Sequence, residues 1–352
     1  MKRPGPQERL ADLLARTPRR PASREKVVIV SDLHMGQGDR TDDFQHNGAL
    51  FLEAFEKFYL DRDYTVVLNG DVEELLRVPR QAILAAWKPV YDLFDRFRDQ
   101  GRLVWLKGNH EILPAQAGDP FHEGHFDGES VLLDYPEGQV FVFHGHQAGV
   151  ANSGRFNHLI GWSLRFFANN LGIMNKSISH DSEKKFKLES AVYEFSRRQG
   201  LMSVIGHTHR PLFESLSKKE DLGIRIDRMC RDYPGADEGR RSRIRRTIRD
   251  LRRAYLETRS VPHLATTVYG EMPVPCVFNA GCAVGKRGFT TLEIVRGKAA
   301  LVFWSTPDRS PLPGAYNENK ESRRFGRDAY RTILRRESLA YVFSRIELLG
   351  EL

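Results

Sequence analysis

Three cysteines in 352 residues, Cys230, Cys276 and Cys282, are too few for a disulfide framework, and their spacing fits no thiolate zinc site. Reduced thiols in a cytoplasmic protein are the natural expectation. The N-terminus, MKRPGPQERLADLLARTPRRP, lacks the apolar run that a secretory signal or a membrane span requires, so neither is expected. No period of about 20 to 50 residues recurs and no long low-complexity tract appears, which sets repeat architectures aside. Acidic residues are in the minority, 46 against 54 Lys and Arg. The formal net charge of +8 favours acidic partners: nucleotides, nucleic acid or an anionic membrane surface.

What is present is a series of short β-rich runs ending in polar residues. KVVIVSDLH at 26–34, YTVVLNGD at 64–71 and RLVWLKGNHE at 102–111 come first. ALFLEAFEKFYLD and PRQAILAAWKPVYDLFDRFRDQ lie between them with apolar residues at helical spacing. A strand, helix, strand, helix, strand order argues for buried parallel strands. GQVFVFHGH and LMSVIGHTHRP are again strand-then-polar, whereas VPCVFNAGC, GFTTLEIV and AALVFW follow with little helix between them, so mixed or antiparallel pairing is expected there.

Two segments interrupt this order, at about 150–200 and 215–265. The first contains the apolar FNHLIGWSLRFFANNLGIMN, whose apolar residues between 156 and 174 are too numerous for one helical stripe. The second contains GRRSRIRRTIRDLRRAYLE, with eight arginines between Arg240 and Arg253. Ile244, Ile248, Leu251 and Tyr255 recur there at helical spacing, so one face packs and the others present arginine. The C-terminal RRFGRDAYRTILRRESLAYVFSRIELL reads as a further amphipathic helix.

At the strand ends stand Asp32 and His34, then Asp71, then Asn109 and His110, then His144 and His146, then His207 and His209. Carboxylate, imidazole and amide donors without thiolate point to a hydrolytic site for Mn, Fe, Zn or Mg rather than structural zinc. Asp32 with His34, and His207 with His209, are each separated by one residue and would project the same way from an extended segment. Gly70, Gly108 and Gly206 precede ligands and suit tight turns or close backbone approach. Each motif alone is compatible with a capped turn or a hydrogen-bonded histidine. Their joint position at successive strand ends is what points to one shared site.

The ordered set S-D-L-H, G-D, G-N-H-E, H-G-H and G-H-T-H resembles the calcineurin-like metallophosphoesterases. That resemblance implies two packed mixed sheets flanked by helices, an α/β sandwich spanning residues 26–312 with the two helical insertions, preceded by an extension at 1–25 and followed by a helical tail at 313–352. It also implies a hydrolase of a phosphoester or phosphoanhydride bond that uses two divalent cations, manganese first among them. Asp32, His34 and His209 would hold one cation, Asn109, His144 and His207 the other, and Asp71 would bridge. His110 would be the non-ligand beside the scissile phosphate; His146 has no counterpart in that pattern and is read as a residue behind the ligands.

The sequence Gly70-Asp71-Val72-Glu73-Glu74 departs from the D-R-G type of the protein Ser/Thr phosphatases. Arg210 and Pro211 after G-H-T-H, together with the apolar insertion, look like the UDP-2,3-diacylglucosamine pyrophosphatase branch, although best-known members there have G-N-R-D. A nucleotide-linked lipid substrate follows from that likeness. The alternatives are a nucleotide or nucleic-acid phosphodiester and a non-catalytic scaffold of the same fold. Arg210, Arg245, Arg246 and Arg249 are the candidate substrate contacts, in a cytoplasmic protein able to sit at a membrane periphery.

Overall fold

The computed structural model describes residues 4–111, 125–149, 182–215, 222–223, 225–226, 229–230, 232–257, 274–307, 322–326 and 329–350. The segment expected as an extension is built into the body. Helix α1 (Pro6–Arg16) buries Leu10 and Leu13, and β1 (Arg19–Pro21) pairs in parallel with β5 (Ser130–Tyr135). Strand β2 (Lys26–Val30) sends Val27 and Ile29 into one apolar cluster and Val28 and Val30 into another. Period-two alternation between two covered faces explains why the run is apolar throughout.

The expected parallel start is present. Strands β3 (Tyr64–Asn69) and β4 (Leu103–Leu106) follow β2 in parallel register, Val28 opposite Val66 and Leu68 opposite Trp105. The first crossover carries α2 (Gly48–Ala54), continued by a π turn at Phe55–Tyr59 and a 3₁₀ turn at Leu60–Arg62. The second carries α3 (Arg80–Ala86) and α4 (Lys88–Asp99), which buries Val90, Tyr91, Leu93, Phe94 and Phe97 along one face.

Strand β6 (Gly138–Phe143) pairs antiparallel with β5 and parallel with β7 (Met202–Ile205), and β8 (Val277–Asn279) adds in parallel to β7. The helix before β7 is α5 (Ser182–Gln199), and α6 (Glu238–Glu257) precedes β8. Strands β9 (Phe289–Val295) and β10 (Lys298–Ser305) form a hairpin whose β9 edge joins β2 antiparallel. With β11 (Ser322–Phe325) and β12 (Ala329–Ser338), the result is a five-stranded sheet, β1-β5-β6-β7-β8, and a seven-stranded one, β11-β12-β10-β9-β2-β3-β4, both mixed. Residues of both sheets share one apolar cluster, and the outer face of the larger sheet packs on α2 and α4 in the other. The α/β sandwich expected from the motifs is the architecture found.

The tail departs from expectation. Among its described residues β11 (Ser322–Phe325) and β12 (Ala329–Ser338) pair antiparallel, and only α7 (Leu339–Gly350) is a helix. Both faces of β12 are covered, Ala329 and Ile333 packing in one cluster and Leu334 against the other, so its buried residues Ala329 and Thr332 fall three apart as they would on a helix. The apolar stretch 156–174 lies outside the described residues.

Leu13 is buried in the core shared with the five-stranded sheet. Leu13→Ala is expected to lower the unfolding free energy by about 2–5 kcal/mol. A loss in urea titration below about 0.5 kcal/mol, the size of an ordinary surface change, would mean that α1 is not part of that core.

Candidate metal centre

The polar residues that end the strands of both sheets converge on one seam. Asp32, His34 and Asp71 follow β2 and β3 of the larger sheet; His144, His207 and His209 follow β6 and β7 of the smaller. Two side-chain bonds lace the sheets together there. The Asp32 carboxylate accepts the His207 backbone N–H at 3.0 Å, and Asn69 Nδ2 donates to the Phe143 carbonyl at 3.0 Å. His144 Nδ1, 2.8 Å from the Asn69 carbonyl, is thereby the protonated ring nitrogen, leaving Nε2 aimed into the site.

The ligand pairs do not alternate along extended strands as the spacing predicts. Asp32, His34, Asp71, His207 and His209 all have φ between 48° and 61°, the left-handed region that non-glycine residues rarely occupy. Each strand ends before its ligands, and the turns swing the side chains inward. Backbone bonds hold these turns: Asp32 N–H to Gly70 O at 3.0 Å, His34 N–H to Asp71 O at 2.9 Å, and Gly206 N–H to His144 O at 2.9 Å. The glycines act as the sequence suggests. A Cβ on Gly108 would lie 2.1 Å from Asp71 Oδ1, and one on Gly206 would lie 2.6 Å from Asp32 Oδ2.

Three overlapping groups of donor atoms result, each gathered within 4.8 Å: Asp32 with His34 and His209, Asp71 with His144 and His207, and His34 with Asp71 and His110. Asp32 Oδ1 is 3.1 Å from His209 Nε2, and Asp71 Oδ2 is 3.1 Å from His144 Nε2. His34 Nε2 stands 3.9 Å from both carboxylates. The buried Asn109 Oδ1 has no hydrogen-bond partner. An orphaned amide oxygen, two buried carboxylates and four inward imidazoles form a donor set that fits divalent cations.

Electrostatics follow from burial and crowding. Burial opposes the Asp32 charge, but His209 and His144 outweigh it and lower the carboxyl to about 2. Burial likewise opposes protonated imidazoles, yet Asp71 and Asp32 raise His144 to about 9, and Asp32 raises His209 to about 11. His207 falls to about 3 through burial and the neighbouring His144 charge. Without cations, then, the carboxylates draw protons onto two of the rings that would ligate, His144 and His209. Cation binding must expel those protons.

Sequence reasoning overlooked the residues that hold the ligands. Glu74 accepts from two rings at once, His34 Nδ1 at 3.1 Å and His110 Nδ1 at 2.8 Å. Glu111 accepts four backbone N–H groups: Asp71 at 3.1 Å, Val72 at 2.8 Å, Glu73 at 3.1 Å and Gly108 at 2.7 Å. The signal was a carboxylate following each motif, Glu74 three residues after Asp71 and Glu111 two after Asn109. His146 lies behind the cluster, its ring centroid 5.5 Å from that of His144. Burial, then the His144 and His207 charges, keep it neutral.

The candidate substrate arginines have these surroundings. Arg210 Nε donates to the buried Glu189 of α5 at 3.3 Å, and Thr208 Oγ1 donates to the same carboxylate at 2.8 Å. Asn279 Nδ2 completes that brace with bonds of 2.9 Å to Thr208 Oγ1 and to the Gly206 carbonyl. Arg245, Arg246 and Arg249 are exposed on α6.

The calcineurin-like phosphoesterase profile matches residues 25–238, more than half of the chain. The chain belongs to the calcineurin-like phosphoesterase family. Among solved structures it is similar to a conserved uncharacterized protein, a predicted phosphoesterase, from Streptococcus pneumoniae, at 12% identity, TM-score 0.29, 88% of this chain and 97% of the other. It is also similar to a single mutant of Vps29 from Entamoeba histolytica, at 13% identity, TM-score 0.30, 88% and 98%. At those scores neither adds to the family match. Comparison with curated proteins found no match. Among the described residues no helix is long and apolar enough to cross a membrane.

A methyl group on Gly108 would collide with Asp71, the carboxylate between the two donor groups. Gly108→Ala is expected to weaken cation binding about 10- to 100-fold, the usual range for disturbing a ligand's support, while the fold persists by circular dichroism. Unchanged cation content by elemental analysis would disprove the close-packing account.

Proposed function

We propose that this family member is a hydrolase of a phosphoester or phosphoanhydride bond that works with two divalent cations. The observation that carries this reading is the continuity of the donor groups through Asp71, which faces both the His144 side and the His34 side of the cluster. On this reading Asp32, His34 and His209 hold one cation, Asn109, His144 and His207 the other, and Asp71 spans both. Oxygen and imidazole donors without cysteine suit Mn first, with Fe, Zn or Mg as competitors. Two such ions supply Lewis acidity for the phosphoryl oxygens and lower the pKa of an attacking water.

The chain's own residues supply the rest. His110 Nδ1 is engaged by Glu74, which directs Nε2 toward the centre, 3.8 Å from Asp71 Oδ2. Burial disfavours its charge, but in the cation-free site Asp71 and Glu74 raise the ring to about 9. A protonated imidazole on a fixed carboxylate can steady a phosphoryl oxygen and protonate the departing alkoxide. Glu74 therefore couples cation binding, through His34, to proton delivery, through His110.

A non-catalytic scaffold of this fold would have no use for that paired arrangement. The nucleotide-linked lipid substrate rests on the apolar stretch 156–174, outside the described residues, and on the G-H-T-H-R-P likeness; a nucleotide or nucleic-acid phosphodiester is the other class. Free thiols at all three cysteines suit the reducing cytoplasm.

Asp71→Asn or His209→Ala is expected to abolish turnover of an aryl phosphodiester and lower cation content, measured together on purified protein. Full activity at unchanged stoichiometry in either variant would sink the ligand assignment. His110→Ala is expected to retain both cations and lose about 10²- to 10⁴-fold in kcat. Loss of cations would instead make His110 a ligand, and an inert change would remove it from the reaction. A panel of aryl monoester, aryl diester, UDP-acylglucosamine, cyclic nucleotides and single-stranded DNA, assayed with Mn, separates the substrate classes.

A further inference from the structure

Among the described residues helix α6 packs through one side. Ile244, Leu251 and Ala254 are buried, Leu251 and Ala254 against Leu222, with Ile226, Met229 and Tyr255 at the margin of that small cluster. Arg243, Arg245, Arg246, Arg249, Arg252 and Arg253 are all exposed, and at about 100° per residue they occupy roughly half the circumference opposite the buried side. At the same spacing half-buried Asp250 falls inside that arc, between Arg246 and Arg243, and exposed Leu256 also falls inside it, three residues past the last arginine. Near the N-terminus Arg245 meets exposed Glu238 at 3.4 Å and stands 5.3 Å from the centre of the Tyr233 ring.

Such a face works against its own helix. Arg245 with Arg249, Arg246 with Arg249, Arg249 with Arg252, and Arg249 with Arg253 stand three or four residues apart, where like charges repel. The residues that anchor α6 are on the other side, so folding does not require this concentration of charge. A polyanion laid along the face would relieve it.

We propose that the exposed arginine face of α6 binds the phosphate backbone of a nucleic acid. Arg243 to Arg253 spans about 15 Å of helix axis, and duplex DNA carries one charge per about 1.7 Å, so several phosphates pass within reach together. Guanidinium forks match phosphate oxygens in bidentate geometry. An anionic membrane is the less suited partner, because an interfacial helix inserts its apolar face, and here that face is already buried in the protein. Contacts of this kind give affinity without sequence selectivity. The inference stands apart from hydrolysis: it concerns a surface whose occupancy needs no cation.

The test is fluorescence anisotropy of labelled duplex and single-stranded oligonucleotides with the whole protein in EDTA, which stops any metal-dependent cleavage. The expected result is binding that weakens with salt, log K against log[salt] falling with a slope of about −3 to −5. Replacing the six arginines by Gln should lower low-salt affinity about 100-fold and flatten the slope by about three, with the α-helical circular dichroism retained. The six Lys replacements should keep most of the affinity, because the charge remains. Should the Gln set fail to fold, Arg249→Gln with Arg252→Gln should still flatten the slope by about two. Absent or salt-independent binding by the unaltered protein overturns the proposal, as does a folded Gln variant that binds like it. Capture by phosphatidylserine vesicles without oligonucleotide binding reassigns the face to a membrane and equally overturns it.

Discussion

The Glu111 carboxylate is the constraint on which the centre depends. Its two oxygens collect the N–H groups of Asp71, Val72, Glu73 and Gly108, tying the turn after β3 to the turn after β4. A turn that carries a buried carboxylate in a left-handed conformation has few bonds of its own, and the four N–H groups that Glu111 accepts are what hold Asp71 in place. Burial and the neighbouring Asp71 and Glu73 charges push Glu111 up to about 8, while those N–H bonds pull the other way. Cations beside Asp71 would shift that balance toward the ionised form, so cation binding and the rigidity of the turn reinforce each other.

From that anchor the centre extends across the seam between sheets. Asp71 receives the His110 N–H at 2.9 Å, Asp32 receives the His207 N–H, and Asn69 joins β3 to both Phe143 and His144. The glycines at 108 and 206 let backbone approach where any side chain would displace an aspartate. Fold and site are therefore one problem: a shift of either sheet would move half of the ligands relative to the other half.

Much of this was legible in the chain. Apolar runs buried on both faces announced β2 and β3, and polar residues at successive strand ends announced the cluster, because strand ends are where an α/β sheet opens to its ligands. Less legible was anything that depended on a partner far away in sequence. Cover on both faces disguised the β12 strand as a helix, since the pairing with β10 that defines it lies some 30 residues upstream. Glu74 gave no local sign of serving two histidines 40 and 36 residues away, and Arg210 gave none that Glu189 of α5 would claim its guanidinium. Period and composition report which face is buried; they do not report which polar group will be waiting there.

The left-handed ligands complete the physical account. Five of them, Asp32, His34, Asp71, His207 and His209, hold a backbone conformation that costs roughly 1 kcal/mol or more each. Asp32 and Asp71 are moreover buried like charges. The chain tolerates this because the strands leading into the turns are fixed by clusters on both faces, so the turns cannot relax without breaking the sheets. The same rigidity means that the donors need little rearrangement to receive cations, and the entropy of gathering them has been met by folding. The strain in these turns and the readiness of the site are thus two consequences of one arrangement.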